Sequence, residues 1–269
     1  PPIMDNVIYY DGTVASDPIN ESFISSEAGV NFSSDNFAVK VSAYNTDWKD
    51  RNLTKSVTTG QGDSGDTDVI FLKGIGQKHQ GLEIEGSMKL NDMIRLDGAV
   101  SFGKWKFDGD ADGLYTEYAE DAPKQTSYTY TLDGLYVGDQ PQTAYVLGTT
   151  LTPMDGLRLQ GIFKMYDKNY ADWSPDSREL SGDADRSQVW QAPAYNRLDL
   201  HAAYKLPKIA GYDMTLTGHL FNALDAVYVQ DAVDNSQYNG FGDKLHLAHN
   251  AEVFLGTPRY FNLGLTVNF

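Results

Sequence analysis

The sequence predicts an all-β fold, an antiparallel transmembrane β-barrel, and three observations carry that prediction. Apolar and polar residues alternate with period two from one end of the chain to the other. The links between the alternating stretches are short and long in turn, which is how barrels with turns on one side of a membrane and loops on the other are built. No run approaches the roughly 18 apolar residues a spanning helix needs, and the longest, such as Val69-Ile70-Phe71-Leu72, are strand-sized.

The elements follow in order. A weaker alternation runs near 21 to 32. Phe37, Val39, Val41 and Ala43 then oppose Lys40, Ser42 and Tyr44. Leu82, Ile84, Gly86 and Met88 oppose Glu83, Glu85, Ser87 and Lys89; Ile94, Leu96, Gly98, Val100 and Phe102 oppose Arg95, Asp97 and Ser101. After a weaker stretch at 143 to 151, Leu157, Leu159, Gly161, Phe163 and Met165 oppose Arg158, Gln160 and Lys164, and Leu198, Leu200, Ala202 and Tyr204 oppose Asp199, His201 and Lys205. A further weak stretch at 212 to 221 precedes the clearest strand, in which Phe261, Leu263, Leu265, Val267 and Phe269 share one face and Tyr260, Asn262, Gly264, Thr266 and Asn268 the other. That makes nine strands.

Four links are short and polar: Ser33 to Asn36, Leu90 to Met93, Thr152 to Gly156 and Pro207 to Gly211. The alternate ones are long, roughly 46 to 78, 108 to 142, 171 to 193 and 223 to 256. A soluble β-sandwich alternates too, but has no reason for this asymmetry. Tyr44, Trp48, Trp105, Phe107, Tyr166, Tyr170, Trp173, Trp190 and Tyr195 cluster at the loop-side strand ends and read as an aromatic girdle.

Composition narrows the partners. A mean hydropathy of -0.42 beside 17 Tyr, 12 Phe and 25 Gly suits strands that are apolar only at alternate positions. Thirty-seven acids against 21 bases give a net charge of -16, which excludes a nucleic-acid-binding role because phosphate contacts need a basic face. The absence of Cys fits an outer-membrane protein and many others equally.

The C-terminal segment Asn262-Leu263-Gly264-Leu265-Thr266-Val267-Asn268-Phe269 resembles the assembly signal of outer-membrane barrels, with Asn262, Gly264, Val267 and Phe269 at its defining positions. The resemblance implies docking on the barrel-assembly machinery by strand addition. Gln80-Gly81-Leu82-Glu83-Ile84-Glu85-Gly86 is similar to the Gly-hydrophobic-Glu strand of TonB-dependent receptors. Leu220-Phe221-Asn222-Ala223-Leu224-Asp225-Ala226-Val227-Tyr228 is similar to their Asn-Leu-Phe-Asp-x-x-Tyr element. Trp190 to Leu206 looks like the receptors of Bacteroidetes-like bacteria. Together these segments cover roughly 20 to 269.

That resemblance implies a 22-stranded barrel filled by a plug domain and coupled to TonB. Nothing here resembles a plug or a TonB-contacting box, and bacterial single-chain barrels have even strand numbers. Residues 1–269 are therefore expected to be a partial outer-membrane barrel domain, about nine C-terminal strands lacking the plug and the first strands.

The sharpest local motif is Asp108-Gly-Asp110-Ala-Asp112-Gly113, like the first half of a calcium loop, in which alternate carboxylates converge on a hard cation and Gly113 permits the turn. Glu117 and Glu120 lie near; Ala119 stands where a full loop carries Glu. The alternative is a solvated acidic loop. His246 and His249 are three apart, a metal-site spacing on helices, but they sit in a loop without an assignable third ligand. No Cys, no Gly-x-Ser-x-Gly and no His placed beside a nucleophile argue for an enzyme. Lys40, Glu83, Glu85, Lys89, Arg95, Asp97, Arg158, Lys164, Asp199, His201 and Lys205 are expected to line the lumen.

The reading is thus the barrel of an outer-membrane TonB-dependent receptor for active uptake of a scarce nutrient, with no cofactor beyond calcium in an outer loop. Its expected partners are membrane lipid, the assembly machinery, the plug and N-terminal strands, TonB and a surface lipoprotein. The alternative is a stand-alone porin-like or omptin-like barrel.

Overall fold

The computed structural model describes residues 7, 8, 12, 14, 18–59, 66–118, 123–175, 178, 185–208, 211–236 and 245–268, with backbone alone at 56–59, 66–69, 116–118 and 123–125. The strands are β1 (Ser22–Ser33), β2 (Phe37–Thr59), β3 (Asp66–Lys89), β4 (Ile94–Phe107), β5 (Ala111–Tyr118), β6 (Pro123–Tyr130), β7 (Thr143–Met154), β8 (Leu157–Asp167), β9 (Asn169–Tyr170), β10 (Gln191–Ala192), β11 (Tyr195–Lys205), β12 (Asp213–Phe221), β13 (Val229–Val233), β14 (Glu252–Leu255) and β15 (Tyr260–Asn268). No helix among the described residues is long and apolar enough to cross a membrane.

Nine of these form one up-and-down wall in the order β1-β2-β3-β4-β7-β8-β11-β12-β15. Every neighbour is antiparallel. The nine expected strands are all present. β1 and β15 end the path without pairing to each other, so the barrel is open among the described residues.

Side chains alternate across a strand, so the register sorts the whole wall into two faces. Ile24, Val30, Phe32, Leu147, Phe163, Leu216, Phe261, Leu263 and Leu265 share the apolar face and are exposed, Val30 and Phe261 at 74%. Lys40 lies opposite Glu85, and His201 opposite both Gln160 and His219, on the polar face. A soluble monomer rarely exposes an apolar patch beyond a few hundred Å². Lipid is the medium this face suits.

At one end the links are tight. Asn91 closes the β3–β4 turn by accepting through Oδ1 from the Met93 and Ile94 amides at 2.8 and 2.9 Å, the local side-chain bonding for which Asn suits turns. Gly156, at φ 80°, completes the Asp155–Gly156 turn between β7 and β8.

At the other end the expected loops are largely ordered strand. β2 and β3 stay paired as far as Thr59 opposite Asp66, with irregularities between Trp48 and Leu53, so most of 46 to 78 is a hairpin extending the wall. The 108 to 142 link contains the β5–β6 hairpin, which docks on β3 through Ile70–Lys73. The 171 to 193 and 223 to 256 links contribute β10 and the β13–β14 hairpin.

These links build the one hydrophobic core among the described residues: Ile70, Leu72, Ile75, Phe107, Ala111, Tyr115, Tyr130, Leu132, Leu135, Trp173 and Val189. Trp173 is 2% exposed, and truncating such a residue costs about 3–5 kcal/mol. The wall needs no comparable core, because one face meets lipid and the other the lumen.

The girdle expectation is corrected by the register. Tyr44 pairs with Glu27 and Gly81, Trp105 with His79, and Tyr166 with Tyr195, all on the polar face. Phe107 and Trp173 belong to the loop core. A Cβ on Gly81 would collide with the Tyr44 ring, so this glycine makes room for a cross-strand aromatic whose hydroxyl accepts from Trp105 Nε1 at 2.8 Å. Clustering at strand ends was visible in the sequence; the face each ring takes depends on its parity within the strand.

Candidate functional site

The lumen face carries all eleven charged or ionisable residues expected there, on the strands that the alternation assigned to them. Several pair along or across strands. Lys164 Nζ donates to Asp199 at 2.9 Å, Arg197 lies 3.7 Å from the same carboxylate, and Arg95 donates to Asp97 at 2.7 Å. Asp199 is 2% exposed and also accepts from the Asn222 amide at 2.9 Å. Arg197 was not among the expected lining residues, although its odd-numbered parity with Asp199 and His201 marks it.

Asn222 shows why the Leu220–Tyr228 segment matters. At φ 48° it leaves the strand, accepts from the Ala226 amide at 3.0 Å and donates to the Ala226 carbonyl at 2.9 Å and the Thr257 carbonyl at 3.2 Å. One buried side chain thus folds the corner between β12 and the last loop. Asn tolerates the left-handed region better than other non-glycine residues.

Above the wall the loops are tied together by charge. Arg178, fully buried, donates to the Ser187 carbonyl at 2.7 Å and lies 3.6 Å from Asp234, itself fully buried. His246 bonds Asp185 through Nε2 at 2.6 Å and Asp234 through Nδ1. Burial alone would push the His246 pKa down, but the hydrogen bonds its ring donates to the Asp234 and Asp185 carboxylates outweigh it and the pKa is raised. Arg178 also holds the Thr131 amide through its carbonyl at 2.9 Å, so three loops meet at one network. Sequence reasoning did not find it, because bonded partners such as Arg178 and His246 lie as much as 68 residues apart with no motif among them.

A second junction joins Lys55 of β2 to Asp172, with the ammonium over the Trp173 ring at 5.0 Å. Asp139 stands beside Asp172 and Asp231. Burial and then these two carboxylates push its pKa up to about 7.

The calcium-like segment has a different local shape from the one expected. Gly109, at φ 101°, takes the turn conformation, whereas Asp112 and Gly113 lie in β5 opposite Thr129 and Tyr128. Asp110 accepts from the Leu132 and Asp133 amides at 3.1 Å each and from both Arg186 Nη atoms at 3.0 and 2.7 Å; the Arg186 bonds are the main reason its pKa is held low. Asp112 accepts from Thr129 Oγ1 at 2.9 Å, and Asp108 is exposed. No group of three His, Cys, Asp or Glu positioned for a metal occurs among the described residues. The Glu117 side chain and all of Ala119 and Glu120 lie outside them. His246 and His249 do not act together: the first is committed to the loop network, and the second is an exposed residue of the turn Ala248–Asn250.

Of the expected assembly positions, Asn262, Gly264 and Val267 lie in β15, paired with His219, Thr217 and Met214 of β12. Val267 faces the apolar side and the other two the lumen. Phe269 lies outside the described residues.

The family described as TonB dependent receptor-like, beta-barrel, matches residues 10–223. Among solved structures, the chain is similar to BauA, the ferric preacinetobactin receptor from Acinetobacter baumannii, at 12% identity and a TM-score of 0.36, over 93% of this chain and 43% of that one. The chain thus spans less than half of that receptor. No protein of curated function matches the sequence. With most of its length matched by the family, the chain belongs to the TonB-dependent receptor-like β-barrel proteins.

Proposed function

We propose that the chain is the C-terminal wall and outer-loop assembly of an outer-membrane receptor that takes up a scarce nutrient by active, TonB-driven transport. One observation carries the reading: the register of nine antiparallel strands puts apolar side chains on one face and charged ones on the other. Such a wall is stable only between lipid and a polar lumen. In this reading a plug and further strands complete the barrel, the assembly machinery inserts it through the β15 strand, and the packed loops form the external mouth. A surface lipoprotein covering that mouth is a further proposed partner. The chain works by binding and passage, with no covalent chemistry of its own.

The test is a disruption of the gene for the intact receptor, followed by growth on limiting iron chelates, cobalamin, oligosaccharides or peptides. The reading expects a defect for one nutrient class, matched by loss of TonB, and outer-membrane fractionation of the protein. Unimpaired growth on every class with a small-solute leak in liposomes would favour a porin instead.

Calcium at the Asp108–Asp112 turn is a separate proposal. Arg186 occupies Asp110, so a cation there has to displace its guanidinium.

A further inference from the structure

We propose that His201 and His219 form a binding site for a divalent transition-metal ion of the copper(II) or nickel(II) class on the lumen face of the wall. The two residues lie directly opposite each other on β11 and β12. Their Nδ1 atoms are 2.8 Å apart and their ring centroids 5.0 Å apart. A hydrogen bond between two Nδ1 atoms needs one of them unprotonated, so at least one ring already presents a lone pair to the other. When both rings carry their proton on Nε2, both Nδ1 lone pairs face the same small volume. A slight rotation of each ring then turns them onto one point.

The separation is compatible with two adjacent ligand positions on one ion. Two imidazole nitrogens at about 2.05 Å from an ion sit about 2.9 Å apart when they subtend 90°, and about 3.3 Å apart at a tetrahedral angle. The observed 2.8 Å, the hydrogen-bonded separation before the rings turn, lies nearer the first. Adjacent positions of a square-planar or tetragonal N,O site are the preference of copper(II) and nickel(II), with copper bound more tightly in the usual order of divalent ions.

The surroundings supply support and the remaining donors. Phe221 backs both rings, at 5.5 Å from His201 and 6.0 Å from His219, and is itself stacked on Tyr260 at 4.7 Å. Gln160 lies opposite His201 and Asn262 opposite His219, so an amide flanks the pair on each side. Gln160 Nε2 donates to Thr150 at 3.3 Å, which leaves the oxygen as the atom it can offer. A cavity of about 340 Å³ lined by Arg158, Gln160, both imidazoles and Phe221 gives room for the ion and its waters. The positive neighbours are partly compensated: Lys164 and Arg197 share Asp199, and Arg158 is exposed.

The experiment is copper(II) titration of the intact, tag-free receptor in detergent, read by electron paramagnetic resonance and calorimetry. One ion per chain is expected, with splitting from two imidazole nitrogens. His201→Asn and His219→Asn each reduce the pattern to one nitrogen and weaken binding by about tenfold or more, the scale on which metal sites respond to loss of even an outer-shell partner. His249→Asn leaves both readouts unchanged. Heat-modifiable migration on gels reports that each variant is an intact barrel, and His201→Gln and His219→Gln replace any variant that is not. A wild-type protein that binds no copper(II), or a bound signal that neither substitution alters, overturns the proposal.

Discussion

Replacing Asp234 with Asn removes one negative charge from the network that joins the outer loops. In the wild-type protein Arg178 and the His246 ring face Asp185 and Asp234, and when the imidazole carries its second proton two positive charges stand against two negative. The variant leaves Arg178, and His246 when protonated, against Asp185 alone, and Arg178 is 0% exposed. Breaking a buried ion pair by removing one partner costs about 3–5 kcal/mol. At 1.4 kcal/mol per tenfold, the open population of the loops rises by about 10² to 10³ or more. Hydrogen exchange on the intact receptor reads this at the Thr131 amide, which bonds the Arg178 carbonyl, and across 234–236. The pH dependence has a definite sign. His246 has its pKa raised in the folded state, so its contribution is fully present below the unfolded value of about 6.5 and is lost as pH rises through the folded value. Protection of these amides should therefore fall with rising pH in the wild type and depend less on pH in the variant. Exchange unchanged by the substitution, or slowing as pH rises, would refute the argument.

Other expectations follow from the wall. β15 spans nine residues, and about half of them present N–H and C=O groups to its open edge; at several kcal/mol for each group unpaired in hydrocarbon the cost reaches tens of kcal/mol, beyond the usual 5–15 kcal/mol of stability. Residues 1–269 expressed alone with a signal peptide should thus be degraded or aggregate, and co-expression with strands that pair the β1 and β15 edges should rescue them; protease-resistant, heat-modifiable insertion of the isolated chain would contradict this. Val267→Asp, on the lipid face of β15, should abolish insertion of the intact receptor while Asn268→Asp is tolerated, and equal tolerance in a membrane-fractionation assay would refute the face assignment. Calorimetric calcium titration of the intact receptor should show a site that tightens when Arg186→Ala frees Asp110; no binding in either protein would leave the turn a solvated acidic loop.

The wall was legible because a period of two is a local property: each residue's face follows from its neighbours, and the turn residues marked the ends. Leu263 and Asn262 could be assigned to opposite faces without knowing any partner strand. The loop assembly was not legible, because it rests on contacts between distant segments. Trp173 packs on Tyr130, and Asp185 meets His246, across spans that no motif bridges. The same limit affected the Asp108–Asp112 turn. Three alternate acids suggested a cation loop, but a distant Arg186 and the pairing of β5 with β6 decide what those carboxylates touch. The His201–His219 pair was half visible: parity put His201 in the lumen, while its partner depended on the register of β11 against β12.

The central claim is that alternate side chains of one strand face lipid and lumen. The chain contains no Cys, so single cysteines can carry nitroxide spin labels along β8, from Leu157 to Met165, in the intact receptor reconstituted in a bilayer. Relaxation by oxygen, which concentrates in lipid, is compared with relaxation by a water-soluble nickel chelate. The account predicts alternation with period two, oxygen dominating at Leu159, Phe163 and Met165 and the chelate at Arg158, Gln160 and Lys164. Uniform accessibility along the strand, or a period near 3.6, would contradict it.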